Sequence, residues 1–144
     1  MRTTSIPFPF TLPKEIHMIK ILLIMAGGGL GALCRYGLGL AGGRFIGVGF
    51  PWGTFAANMI GWFLIGIAFG LAGRAQWFTP EARLFFITGF LGALTTFSTY
   101  ALESVNYLRN GSHIALTNFL VNNIGGALLV VAGLWLVKAT LEGR

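Results

Sequence analysis

Four stretches of the chain stay apolar for about the length a bilayer demands, roughly 20 residues at a rise of about 1.5 Å each. They cover residues 19–40, 52–71, 84–101 and 114–137. Runs that are apolar all round, rather than along one stripe, predict four membrane-crossing helices joined by short connections, with no room for a soluble domain. The boundaries carry their own signals. Pro51-Trp52 opens the second stretch, with a tryptophan suited to headgroup depth. Before the third, Trp77 precedes Thr79-Pro80-Glu81, where Thr79 can cap and Pro80 can take the first helical position. Asn110-Gly111-Ser112 predicts a turn ahead of the fourth.

Residues 1–17 hold Pro7, Pro9 and Pro13, the pair Lys14-Glu15 and no helical pattern, and are expected to form an extended tail. Met18 leads straight into the first apolar run and is a candidate start, so the membrane domain is expected over 18–144. Composition agrees. Apolar residues make up 55% of the chain and charged residues only 10%, against about 25% in ordinary globular proteins. So little polar surface cannot cover a water-soluble globule, and the expected solvent is lipid. The net charge of +6 comes from ten Lys and Arg against four Glu. The basic residues stand singly between apolar runs, which suits lipid headgroups and excludes a nucleic-acid-binding face. The termini and second loop hold seven of them (Arg2, Lys14, Lys20, Arg74, Arg83, Lys138, Arg144), the other loops two (Arg44, Arg109). That bias favours a cytoplasmic N terminus. Cys34, the lone cysteine, excludes an intrachain disulfide and a thiolate metal cluster.

Inside the spans the small and polar residues are patterned. Gly27/Gly31, Gly39/Gly43 and Gly66/Gly70 are GxxxG pairs, and Gly89/Ala93 is a related pair, so helices are expected to pack closely and to assemble further. Gly27 to Ala32 also fits a dinucleotide fingerprint, but no acidic residue occurs between Glu15 and Glu81 to bind a ribose, and the apolar run continues past it. Thr54, Asn58 and Gly61 share one face of the second span, and Asn118, Asn122 and Gly125-Gly126 repeat the arrangement in the fourth. A buried amide in hydrocarbon must find a partner, so these faces predict a shared polar track or hydrogen bonding between helices. The third span contains Gly89-Phe90-Leu91-Gly92 followed by Thr95-Thr96-Phe97-Ser98-Thr99-Tyr100. Glycines and hydroxyls at that depth predict a broken helix lining a cavity. Its freed carbonyls could hold a cation, and its hydroxyl hydrogens and the ring edges of Phe97 and Tyr100 could face an anion. No carboxylate or histidine stands in the middle of a span, since Glu103 is at the end of the third and His17 and His113 lie outside, while Arg35 is a deep cation. Such an interior prefers an anion.

Together, Gly31-Ala32-x-x-Arg35-Tyr36, Gly53-Thr54-x-x-x-Asn58-x-x-Gly61, Gly89-Phe90-Leu91-Gly92-x-x-Thr95-Thr96-Phe97-Ser98-Thr99 and Asn122-x-x-Gly125 resemble the CrcB/Fluc fluoride channels over all four spans. The resemblance implies an all-α membrane protein of four helices, the third broken, pairing antiparallel with an identical subunit in a dual-topology homodimer. It implies passive fluoride export across the cell membrane and a structural sodium ion at the dimer centre, held by the backbone carbonyls of Gly92 and Thr95. Asn58 would donate to fluoride and Phe97 would present its ring edge. Ser98 or Thr99, with Thr54 and Asn122, would supply further donors, and Arg35 would lie near an electropositive vestibule. The chain departs from the family pattern at Tyr100, where a second Phe is usual, and at Asn122, where a smaller hydroxyl residue is common.

Two other classes compete. A small multidrug-type transporter shares four short spans and antiparallel pairing but needs a carboxylate in its first span, which this chain lacks. A purely structural membrane subunit would use the glycines and have no need of the TTFST break. An enzyme is not expected, because the deep residues assemble no nucleophile and base.

Overall fold

The computed structural model describes residues 18–47 and 49–142. The tail expected over residues 1–17 lies outside these. The described residues form α1 (Met18–Ile46), α2 (Trp52–Leu71), α3 (80–94), α4 (Phe97–Arg109) and α5 (Ile114–Leu141). Thr79 caps α3 by accepting a hydrogen bond of 3.2 Å from the Ala82 amide, and Pro80 takes the first helical position, as its missing N–H allows. Pro51 stands just before α2. Gly111 adopts φ +66° in the turn that follows α4, a conformation open to glycine at little cost.

α3 and α4 make up the third span, giving four segments long and apolar enough to cross a membrane: Met18–Ile46, Trp52–Leu71, Pro80–Arg109 and Ile114–Leu141. α2 lies between α1 and the second half of α5; α3 packs on α1, and α4 packs on the first half of α5. Wide π-type turns occur at Gly42–Ile46, Leu84–Leu91 and Val121–Gly125, local widenings that often accompany functional sites.

Glycine sets the helix spacing. A side-chain carbon at Gly27 or Gly31 would run into the backbone of Phe85 or Phe90, so α1 and α3 touch main chain to main chain. Gly66 meets Val130 of α5 in the same way, and Gly133 returns the contact to Phe63 and Ile67. Of the Gly39/Gly43 pair only Gly39 is used inside the chain, packing on Gly53, while Gly43 faces open space. The core is small, built from Ala57, Leu91 and Leu94 with Leu38, Leu64, Ile65, Phe86 and Phe90 against it. Leu30, Leu33, Leu128, Val131 and Trp135 face outward, whereas Asn58, Asn118 and Asn122 are buried. Apolar outside and polar inside is the arrangement for a lipid solvent.

The first and fourth spans run on past residues 40 and 137, to Ile46 and Leu141, and the end of the third moves furthest. The third span does not stop at residue 101, because α4 continues to Arg109 and brings Glu103 into the membrane-crossing segment. Hydropathy falls at Glu103, Ser104 and Asn106, yet tertiary contacts keep the helix going. The expectation of an interior free of carboxylate is therefore too strong.

Candidate ion pathway

The site is built on the interruption between α3 and α4. Thr95 (φ −78°, ψ 153°) and Thr96 (φ −149°, ψ 119°) are extended, two strand-like residues between two helices. Asn58, reaching across from α2, holds them. Its Oδ1 accepts from the Thr96 N–H at 2.8 Å and its Nδ2 donates to the Thr96 carbonyl at 3.2 Å, so one side chain satisfies both polar groups of a buried peptide residue. In an unbroken helix the Thr96 N–H would bond to the Gly92 carbonyl. Its diversion to Asn58 leaves that carbonyl without its helical donor. Gly61, one turn beyond Asn58, leaves space for the Thr95 methyl group. Thr96 then starts α4: its Oγ1 accepts from the Thr99 amide at 3.3 Å and donates to Thr99 Oγ1 at 3.1 Å, with Ser98 Oγ 3.4 Å away.

A second line of polar groups runs from the break along α5. Asn58 Nδ2 donates to Asn122 Oδ1 at 3.3 Å, and Asn122 Nδ2 donates to Asn118 Oδ1 at 2.7 Å and to the Asn118 carbonyl at 2.9 Å. Asn118 donates to Ser104 Oγ at 2.9 Å, and Ser104 donates to the Tyr100 carbonyl at 2.9 Å. The relay ties α2, α4 and α5 together in a place where an unpaired amide would cost several kcal/mol.

Three cavities adjoin these groups. One of about 170 Å³ is lined by Asn58, Trp62, Thr95, Thr96, Phe97 and Tyr100. The rings of Phe97 and Tyr100 meet edge to face beside it, centroids 5.6 Å apart at 64°. Tyr100 is buried and Phe97 is 76% exposed, so Phe97 turns an aromatic surface away from its own chain at the break. A second cavity, about 320 Å³, is lined by Arg35, Tyr36, Gly39, Leu40, Thr54, Thr96 and Thr99. Thr96 belongs to both. A third, about 290 Å³, shares Thr54 and Gly39 with the second and adds Glu103 and Tyr107 among its walls. There Thr54 Oγ1 donates to Glu103 Oε1 at 2.7 Å, while the buried Oε2 finds no partner among the described residues.

The structure thus brings Asn58, Thr95, Phe97 and Tyr100 to one cavity and Arg35, Thr54 and Thr99 to the next. Ser98 is exposed on the first turn of α4. Gly92 is exposed in the last turn of α3, and Asn122 reaches the site through Asn58 rather than lining these cavities. Asn118, expected on the polar face of the fourth span, joins the site through Asn122. Four further residues belong here as well: Trp62 lies four residues from Asn58 on one helix face, a spacing that points to it. Glu103, Ser104 and Asn123 gave no such signal, since their partners are distant in sequence.

Comparison with known proteins agrees with this architecture. The sequence model described as CrcB-like protein, Camphor Resistance (CrcB), matches residues 22–134. A protein of Salinibacter ruber named "Fluoride-specific ion channel FluC" is 50% identical over 117 residues, covering 81% of this chain and 87% of the relative. Proteins of the same name from Leptospira interrogans and Maridesulfovibrio salexigens are 36% and 46% identical over 120 and 109 residues. The match covers 83% of this chain and 94% of the relative in the first case, and 76% and 83% in the second. These names denote channels, a non-enzymatic activity, and with four membrane-capable helices they make this chain a multi-pass membrane protein.

Proposed function

The chain belongs to the CrcB-like family, and from that premise we propose that it is a fluoride-selective channel of the plasma membrane that lets fluoride leave the cell passively. The observation that carries this reading is the cavity at the break, whose wall is shared by the buried Asn58 amide, the extended residues Thr95 and Thr96 and the rings of Phe97 and Tyr100. Fluoride enters past Arg35, whose positive charge raises the local anion concentration. Hydroxyls of Thr99 and Ser98 replace part of its hydration, whereas Thr54, expected as a further donor, has given its one hydrogen to Glu103. The Asn58 amide hydrogens come next. Their bonds of 3.2 and 3.3 Å are long against an N–H···O mode of about 2.9–3.0 Å, so an anion can draw them without breaking a strong contact. Asn122 takes part by accepting the second of these hydrogens and not as the donor expected, because its own amide hydrogens go to Asn118. The positive ring edges of Phe97 and Tyr100 line the next step. Several weak sites in series permit both entry and exit. A membrane potential that is negative inside drives a monovalent anion outward by about 2.3 kcal/mol per 100 mV, so no coupled ion is required.

The exposed Phe97 ring and the outward-facing apolar helices support pairing with an identical subunit, antiparallel in the membrane. Sodium fits the break by the chemistry of its donors. The Gly92 carbonyl has lost its helical hydrogen, and Thr95 lies outside both helices, so their oxygens form a hard, neutral set of the kind such a cation takes. Bound there, it would neutralise carbonyl dipoles and pin the two breaks together. A small multidrug-type transporter or a structural membrane subunit is the alternative, but Glu103 puts its carboxylate on the third span and not on the first, where such a transporter needs one.

Vesicles loaded with fluoride and monitored by an electrode test the proposal. Phe97→Ile should lower efflux about two- to tenfold, the scale of one lost aromatic contact, and replacing sodium by a large organic cation should lower it in the wild type. Unchanged rates in the first case would remove Phe97 from the pathway, and in the second would remove sodium from the structure. Transport that requires a proton gradient would favour the transporter.

A further inference from the structure

Tyr100 carries a hydroxyl that the ring-edge role does not use. Its Oη lies 2.8 Å from Asn123 Nδ2 on α5. The same nitrogen lies 2.7 Å from the Phe119 carbonyl. A carbonyl only accepts, so the amide is oriented with its nitrogen inward and its two hydrogens go to Phe119 and to the phenol. Tyr100 is therefore the acceptor in the Asn123 pair. A phenol has one hydrogen of its own to give, and among the described residues no acceptor takes it. The side chain is buried and forms part of the wall of the cavity that also contains Asn58 and Phe97. A hydroxyl that already accepts a hydrogen bond is polarised toward donating one.

We propose that Tyr100 is an anion-binding donor in the pathway, giving its O–H to the passing anion, and that Asn123 is the positioning residue that directs this proton by occupying the phenol's acceptor side. The proposal rests on the channel reading above and adds to it a second kind of contact at this ring, a charge-assisted O–H···F⁻ bond beside the C–H edge. It assigns a role to Asn123, which lines none of the three cavities and reaches the anion only through Tyr100. Chloride, larger and a weaker acceptor, gains less from the same donor, so the pair also adds to selectivity.

Efflux from vesicles over a range of fluoride concentrations tests this with wild type, Tyr100→Phe, Asn123→Ala and the double variant. Tyr100→Phe keeps the ring edge and removes the donor. Loss of one hydrogen bond to an ion should raise the fluoride concentration for half-maximal flux about tenfold. Asn123→Ala should raise it by a similar factor, the double variant should be no worse than Tyr100→Phe, and the fluoride-to-chloride ratio should fall in all three. Elution of the purified variants as wild type separates this from misfolding. If Asn123→Ala alters elution, Asn123→Gln, which keeps an amide but moves it by one methylene, takes its place with the same expectation. Wild-type concentration dependence in Tyr100→Phe or in the Asn123 variant, or effects that multiply in the double variant, would overturn the proposal. A wild-type protein without preference for fluoride would instead overturn the channel reading on which it stands.

Discussion

Alanine at position 58 should abolish fluoride efflux, lowering it at least about a hundredfold, and should also lower the thermal midpoint of the purified protein. Three hydrogen bonds are lost at once, two with Thr96 and one to Asn122. Each buried group left without a partner costs about 1–3 kcal/mol, so the sum is a large part of a typical folding free energy. The chain has one local remedy: the freed Thr96 N–H can return to the Gly92 carbonyl and rewind the break into continuous helix. That rewinding would remove the cavity between Asn58, Phe97 and Tyr100. Asn58→Asp separates support from conduction. Its carboxylate still accepts from the Thr96 amide and keeps the break, but it donates nothing and repels an anion. The expected result is a protein that elutes as wild type and conducts no fluoride. Wild-type flux through either variant would mean that the anion does not pass Asn58.

Gly31→Leu should cost stability through a different link, the approach of α1 to α3. A side-chain carbon at Gly31 meets the Phe90 carbonyl and the Leu94 amide, both main chain, and neither can turn aside as a side chain would. α1 must move away from α3, next to the residue where α3 ends. Overpacking of this kind costs about 1–3 kcal/mol when side chains can adjust, and the value here should lie at or above that upper end. Gly29→Ala, whose added carbon meets nothing within 4 Å beyond the adjoining backbone of its own helix, should leave the midpoint unchanged or raise it, since alanine favours helix over glycine by about 1 kcal/mol. Thermal unfolding in detergent compares the two. Equal midpoints would show that the α1–α3 contact is looser than these glycines imply.

Hydropathy made the four spans legible because a bilayer sets their length, and the Gly89-to-Tyr100 string made the break legible because glycine and hydroxyl residues suit no lipid-facing helix. What holds the break open was not legible. Asn58 and Thr96 are 38 residues apart, and nothing in local periodicity shows that one amide will satisfy both backbone groups of the other residue. Glu103 stands at the end of the third apolar run, yet α4 carries the span on to Arg109, and the bond from Thr54, 49 residues away, ties Glu103 to α2. The Asn118–Asn122 spacing marks one face of α5, and the structure makes that face part of a relay that ends on the Tyr100 carbonyl. Asn123 sits one residue off that face and pairs with the phenol of Tyr100. Helical spacing says which residues share a side of one helix, and only the packing of helices decides which sides meet.

The most direct measurement is the initial rate of anion release from vesicles holding the wild-type protein, with fluoride and chloride compared at equal concentration and equal driving force. Fluoride release is expected to outpace chloride release by orders of magnitude, with no need for a proton gradient. Equal rates for the two ions, or no release from protein that elutes as a folded species, would contradict the channel reading.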